Sequence, residues 1–321
     1  MIEHICAIII ALGLDFVIGD PKWLPHPVRG FGWMIRKCDH AFNEGKFRKS
    51  KGVITVIVVC GFATVISAAV IFYLYSLHWV IGMLVEALFI FTTIATKSLK
   101  EAAVEVKLPL VDKNLGLARE KLSWIVGRDT IHLEESEIVR GVVETVAENT
   151  SDGITAPLFF AILGGGPLAV MYRAANTCDS MLGYKNETYR EFGWAAAKFD
   201  DLLNFVPSRI SGILMVVANV ALAKQSLKEC MKLLFRDASK HPSPNSGWLE
   251  AAMASILSVQ LGGINYYKGV ASNRATMGEP IVTLTVKHID KANQVMIRTV
   301  IACTIFYVLG GMFIESTITW R

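Results

Sequence analysis

Apolar runs of about twenty residues, the length a helix needs to cross a bilayer, alternate with polar stretches along this chain of 321 residues. Four runs predict full transmembrane helices: Ile2 to Gly19, Val53 to Leu77, Val80 to Leu99 and Val295 to Glu315. Two others are shorter or broken, Ala156 to Ala175 (APLFFAILGGGPLAVMYRAA) and Val206 to Ala223 (VPSRISGILMVVANVALA). Glycines and a proline from Gly164 to Pro167 interrupt the first of these, so that it either crosses once or turns back as a re-entrant hairpin. Irregular backbone at membrane depth survives only where protein or a wet cavity covers it. The hairpin is the preferred reading, because it keeps the polar motifs on either side of it on one face of the membrane. Strand signals are scarce. The pattern predicts a mainly α, polytopic membrane protein with about four full transmembrane helices, one or two broken or re-entrant helical segments, and cytoplasmic helical loops. With no repeat or long linker in view, residues 1–321 read as a single integral membrane domain, in which 100–155 could form a cytoplasmic helical subdomain.

Composition agrees with that pattern. Hydrophobic residues make up 53% of the chain and charged ones 19%, with a mean hydropathy of +0.44, too apolar for an ordinary soluble domain. The loop from Asp20 to Gly52 carries eight Lys or Arg. By the positive-inside rule that loop faces the cytoplasm, and so does the long segment from Lys100 to Thr155. The net charge of +4 is modest and lies in loops, with no basic stripe, so a lipid bilayer is the expected partner and nucleic acid is not. Six scattered cysteines form no C-x-x-C pair, which argues against a disulfide framework and a zinc site. The beginning MIEH has an acid where a signal peptide would be basic, so the first run reads as a retained helix.

Against this apolar background the stretch VVETVAENTSDG, Val142 to Gly153, gathers Glu144, Glu148, Asn149 and Asp152. As a helix, ESEIVRGVVETVAEN buries Ile138, Val139, Val142, Val143 and Val146 on one face and lines Glu137, Glu144 and Glu148 along another. Like charges four residues apart weaken a helix by a few tenths of a kcal/mol, so a cation is expected between them. A solvated face partnered by Arg140 would serve as well. SDG is expected to close the helix with a turn that offers further hard oxygen ligands, the kind that suits Mg2+.

Other polar faces repeat the theme. In YRAANTCDSMLGY, Arg173, Asn176, Asp179 and Ser180 recur at helical steps; the arginine suits a phosphate or carboxylate and the aspartate a metal, unless the two simply pair or the arginine snorkels. KFDDLLNFVPSR places Asp200, Asp201 and Asn204 ahead of a helix that carries Arg209. Paired aspartates beside a bilayer need water or a cation, or serve as a cap and a surface charge. Prolines flank His26 in GDPKWLPHPVRG and follow His241 in KHPSPNSGWLEAA, which stiffens both loops. The second motif also makes an ordinary helix start, with Asn245 or Ser246 as cap and Glu250 in the first turns. Asp15 and Glu86 lie inside apolar runs and are candidates by default. No phosphate loop, dinucleotide-binding fingerprint or H-E-x-x-H motif is present.

Taken in order, GDPKWLPHPV, VVETVAENTSDGITAPLFF, YRAANTCDSMLGY, FGWAAAKFDDLLNFVPSR and HPSPNSGWLEAAMA closely resemble the adenosylcobinamide-phosphate synthase family of cobalamin biosynthesis, over Leu14 to about Gly269. The resemblance implies a multi-pass enzyme of the cytoplasmic membrane, its active face toward the cytoplasm. Such an enzyme joins adenosylcobyric acid to (R)-1-amino-2-propanol phosphate, or a related amino alcohol, with consumption of ATP and with Mg2+. On that chemistry Glu144, Glu148 and Asp152 are the expected catalytic carboxylates, and Glu148, Asp179, Asp200 and Asp201 the expected metal ligands. Asp20, His26, Arg128, Asn149, Arg173, Asn176, Arg209, His241 and Asn245 are expected to bind substrate or nucleotide. Trp23, Trp194 and Trp248 either offer flat area to the corrinoid or anchor the chain at the interface. Two other classes stay open: a transporter for an anionic solute, built on the broken helix, and a non-catalytic membrane sensor related to the enzyme. A homo-oligomer is compatible with either architecture.

Overall fold

The computed structural model describes residues 2–20 and 26–317, with side chains up to Phe313; Trp23 lies outside the described residues. In chain order the helices are α1 (Ile2–Val17), α2 (Pro27–Phe42), α3 (Arg48–Leu77), α4 (Trp79–Phe91), α5 (Thr96–Val111), α6 (Leu115–Ser123) and α7 (Glu135–Thr150). They continue with α8 (Ala156–Leu182), α9 (Trp194–Leu203), α10 (Phe205–Asn219), α11 (Leu227–Asp237), α12 (Ser246–Leu257) and α13 (Lys287–Thr317). One antiparallel ribbon, β1 (Leu261–Tyr267) and β2 (Val270–Met277), interrupts the helices.

Among the described residues five helical stretches are long and apolar enough to cross a membrane: Arg48–Leu77, Trp79–Val111, Glu135–Leu182, Phe205–Leu222 and Lys287–Phe313. The mainly α, multi-pass membrane architecture is therefore the observed one. Of the run Ile2 to Gly19, expected to be a full span, only Ile2–Val17 is helical, the 16-residue α1, about 24 Å long at 1.5 Å per residue and shorter than the hydrocarbon core. The chain divides into two compact units, one of residues 1–95, 153–204 and 305–321, the other of 96–152 and 205–304.

In the first unit α3 packs on α4, α8 and α9, and α1 lies along α4. Buried positions of α3 recur at three- and four-residue steps (Gly52, Val56, Val59, Ala63, Ser67, Ile71), while Ile54, Ile57, Phe62 and Val65 point outward, as lipid-facing residues do. Gly52 allows the closest approach: a Cβ there would collide with the Phe192 carbonyl. Inside α8 the helix breaks at Gly164 (φ −157°, ψ 29°) and Gly165 (φ 65°, ψ −159°). The rings of Phe160 and Tyr172 stack with centroids 5.2 Å apart, whereas twelve residues of straight helix would separate them by about 18 Å. The chain therefore folds back on itself at these glycines, and α8 is a helical hairpin.

Glu86 closes the turn. Its buried carboxylate accepts hydrogen bonds from the Gly166 backbone N–H (2.9 Å) and the Tyr75 hydroxyl (2.7 Å), and faces His4 Nδ1 at 2.8 Å. A negative group at the start of the second arm satisfies a helix N-terminus that has no intrahelical acceptor. The intramembrane acid thus has a structural employment that its sequence position did not announce.

In the second unit α7 packs against α5, α6 and α12, and α12 against α10 and α11. The expected face of α7, Ile138, Val139, Val142, Val143 and Val146, is fully buried. SDG does not close α7 with a turn: Ser151–Thr155 widens into a π-helical turn that runs on into α8. Pro157 accounts for this, since a proline cannot donate to the fourth carbonyl behind it and crowds that carbonyl, and a wider turn relieves both problems. The strands pair Tyr267 with Val270 around Lys268 and Gly269, both at positive φ, the two-residue turn that matches strand twist.

Candidate functional site

The second unit collects a dense set of charged side chains. Glu144 on α7 receives Arg128 Nη2 on one carboxylate oxygen and the Gly262 backbone N–H (2.8 Å) on the other, which also lies 3.8 Å from Arg140 Nε. Arg128 continues to Asn265 Oδ1, and Arg140 donates to the Gly262 and Ile264 carbonyls. The cation expected beside the acid stripe is thus Arg128, brought from the loop ahead of α7, with Arg140 on the helix itself. Both side chains of the Arg128–Glu144 pair are nearly inaccessible, and their shared bonds to β1 tie the ribbon to α7.

Glu148, one turn further on, is less engaged. Its Oε1 accepts from Ser246 Oγ (3.0 Å) at the start of α12. Asn149 spends its amide on the Thr145 carbonyl (2.9 Å), and Asp152 sits half-buried in the π turn. His241 Nδ1 accepts from the Ser243 backbone N–H (3.0 Å), which leaves Nε2 aimed at Glu250 Oε1 (3.4 Å) and beside Arg274 Nη1 (3.5 Å). Burial pushes the His241 pKa down, in spite of the opposing pull of Glu148. Burial, followed by the charges of Glu144 and Glu148, raises Glu250 well above the usual carboxylate range. Arg209 stacks on Phe205 with its guanidinium 3.5 Å from the ring centroid, and donates to Asn245 Oδ1 (3.1 Å). Asn245 occupies the cap position of α12, yet its side chain makes no cap hydrogen bond and goes to Arg209 instead. Trp248 lies 5.3 Å from the same guanidinium.

The first unit brings together a second set. Asp200 Oδ1 accepts from Asn176 Nδ2 (3.2 Å) and Oδ2 from Asn204 Nδ2 (3.0 Å), while Asn204 Oδ1 receives the Tyr172 hydroxyl (2.8 Å). Burial and the neighbouring charge of Asp179 push Asp200 up to about 7. Arg173 and Asp179 flank Asn176 along α8. Asp201 turns to Lys198 (3.4 Å). Asp20 lies 3.4 Å from His26 Nε2, and His26 caps α2 through Nδ1. Lys49 sits over the Trp194 ring at 3.9 Å, and Asp15 is fully buried in α1.

No group of three or more His, Cys, Asp or Glu among the described residues forms a ready cage for a metal. Mg2+ seldom uses one: it keeps waters, takes one or two carboxylates and shares substrate phosphate oxygens. The Asp179–Asp200 pair fits that habit, because burial and then the charge of Asp179 drive Asp200 toward neutrality and a nearby divalent cation would offset both, with the Asn176 side chain alongside.

Sequence reasoning overlooked Glu250, Arg274, Asn265 and Tyr267. Glu250 was hidden in an ordinary helix-start pattern, and the other three lie on a ribbon whose Lys-Gly turn is a weak signal.

Comparison with known proteins agrees with this picture. Residues 8–296 match the family model described as CobD/Cbib protein. The chain is 55% identical to the cobalamin biosynthesis protein CobD of Halalkalibacterium halodurans, over 98% of each chain. It is 42% identical to CobD of Leptospira interrogans, over 94% of this chain and 96% of that one. The cobalamin biosynthesis protein CbiB of Salmonella paratyphi B is 43% identical over 92% of this chain and 94% of its own. No solved structure matches. Similarity this high over nearly the whole length means that the chain belongs to the CobD/CbiB family of cobalamin biosynthesis proteins.

Proposed function

We propose that this protein is an ATP-dependent carbon–nitrogen ligase, joining adenosylcobyric acid to (R)-1-amino-2-propanol phosphate or a related amino alcohol to give adenosylcobinamide phosphate. The observation that carries the reading is the carboxylate cluster of Glu144, Glu148 and Glu250, held among Arg128, Arg140, Arg274 and His241 in a member of a corrinoid-pathway family. A carboxylate resists amide formation at neutral pH until one of its oxygens becomes a leaving group. The substrate carboxylate therefore takes the γ-phosphoryl group of ATP, ADP leaves, and the amine displaces phosphate from the acyl carbon with loss of a proton. Glu148, half-buried where Glu144 and Glu250 are buried, is the best placed to receive that proton, with Asp152 beside it in the π turn. Glu144 holds Arg128 and the ribbon in place. Asp179, Asp200 and Asn176 are the proposed Mg2+ ligands, with Asp201 as a further carboxylate; the ion would supply charge neutralisation for the phosphates. Arg173, Arg209 with Asn245, and His26 with Asp20 are the proposed phosphate and substrate contacts. The site faces the cytoplasm, where ATP is supplied, and the host is the cytoplasmic membrane.

Purified protein in detergent, given adenosylcobyric acid, amino alcohol phosphate, Mg2+ and ATP, is expected to form the amide and ADP in equal amounts. A re-entrant hairpin is also a feature of transporters, so the same protein belongs in proteoliposomes. Solute uptake with no amide product would overturn the ligase reading.

A further inference from the structure

A cavity of about 1080 Å³ opens in the second unit, between α6, the loop of residues 124–133 and the β ribbon. None of the acids of the proposed reaction lines it, and it is far larger than an amino alcohol phosphate requires. Its edge is Arg128, the residue whose guanidinium holds Glu144. Two features of the lining select a ligand. The first is charge: Arg119 and Arg128, with His132, stand against Glu120, Asp129 and Glu137, which leaves the wall close to neutral and without a cationic surplus. A nucleoside triphosphate, with three or four negative charges, meets no cationic surplus there. The second is shape and polarity. Tyr266 and Ile131 present exposed apolar faces, 48% and 71% accessible, on polar connecting segments. Gly116, Gly269 and the hydroxyl residues Ser123 and Thr130 complete the lining; the Gly269 N–H donates to Asp129 and the Ser123 hydroxyl to the Glu120 carbonyl, which leaves the two hydroxyl oxygens as acceptors. Arg119 is clamped through Nε to the Leu133 carbonyl (2.8 Å), which fixes the direction of its two terminal nitrogens.

We propose that this cavity is the docking site for the corrinoid acid: a large, flat, nearly neutral macrocycle with an apolar face, an amide-rimmed edge and one free carboxylate. The inference rests on the ligase reading for the identity of the macrocycle, and on the cavity alone for its place. The ring lies on Tyr266 and Ile131, its amides meet the backbone and hydroxyl groups of the rim, and its carboxylate arm extends toward Arg128 and the Glu144–Glu148 cluster behind it.

Equilibrium binding of cobyric acid to the full chain in detergent tests this directly, with ATP as the second probe. Ile131→Glu and Tyr266→Ser alter accessible side chains and are expected to leave folding intact; each is expected to weaken cobyric acid binding at least tenfold and to leave ATP binding unchanged. Hydrogen exchange should slow across residues 116–133 and 264–270 on addition of cobyric acid alone. Unchanged cobyric acid affinity in both variants, loss of ATP binding instead, or no protection of those segments would overturn the site. The two readings fail separately. Amide synthesis with unaltered corrinoid KM in both variants sinks the docking site and spares the ligase, whereas cavity-dependent binding without any amide product does the reverse.

Discussion

Glu144 and Glu148 sit one helical turn apart and have different employments. Glu144 is enclosed by Arg128, Arg140 and a backbone N–H, so Glu144→Gln strands a buried guanidinium and is expected to lower stability by about 3–5 kcal/mol. Glu148 is half-buried and accepts from one hydroxyl, Ser246 Oγ. Glu148→Gln should therefore melt within a few degrees of the wild type while kcat falls at least about 100-fold. Thermal unfolding and turnover measured on the same preparations separate the two, and normal turnover in Glu148→Gln would remove that residue from the mechanism. Asp200 offers a pH prediction. Its folded pKa, about 7, lies above its ordinary 3.8, so the folded state binds the extra proton between those values. The stabilisation is complete below about pH 4 and is lost as pH rises through 7. Asp200→Asn should flatten this dependence and raise the melting temperature above pH 7, and Mg2+ should raise it there in the wild type alone.

At the scale of elements, periodicity made much of the fold legible. Five apolar positions on α7 were placed correctly because a 3.6-residue repeat is local information, and the glycine-proline break in α8 was equally local. Partners drawn from afar were not. Nothing near Glu144 in the sequence names Arg128 or Gly262, nothing in the first 86 residues links Glu86 to Gly166, and the π turn depends on how Pro157 is accommodated. The ribbon escaped notice because its strands mix exposed and buried positions with no clean alternation. The turn of α8 carries its own prediction. Gly165→Ala would place a non-glycine residue at φ 65° and drive its Cβ into the Glu86 carboxylate. A loss of more than about 2 kcal/mol is expected, read by thermal unfolding in detergent. Glu86→Gln, which keeps one acceptor oxygen for either the Gly166 N–H or the Tyr75 hydroxyl but not for both, should lose less than Glu86→Ala.

For the whole molecule, the folded-back α8 fixes an observable of topology. Residues Thr155 and Leu182 stand at the two open ends of one hairpin. With the orientation proposed above, cysteines introduced at Ser180 and Asn186 in a background without native cysteine should react with an impermeant thiol reagent from the cytoplasmic side only. Labelling from the opposite side would mean that the segment crosses and that the phosphate-binding face has been assigned to the wrong compartment. The same hairpin constrains how the protein is made. Its first arm, Ala156 to Leu163, is about 12 Å of helix, too short for lipid alone to hold. Most of the helices that receive it, α1 to α4 with Glu86 among them, leave the ribosome earlier. Insertion of this hairpin is then a docking event onto a waiting protein surface, and a nascent chain lacking His4, Tyr75 and Glu86 would have nowhere to put it.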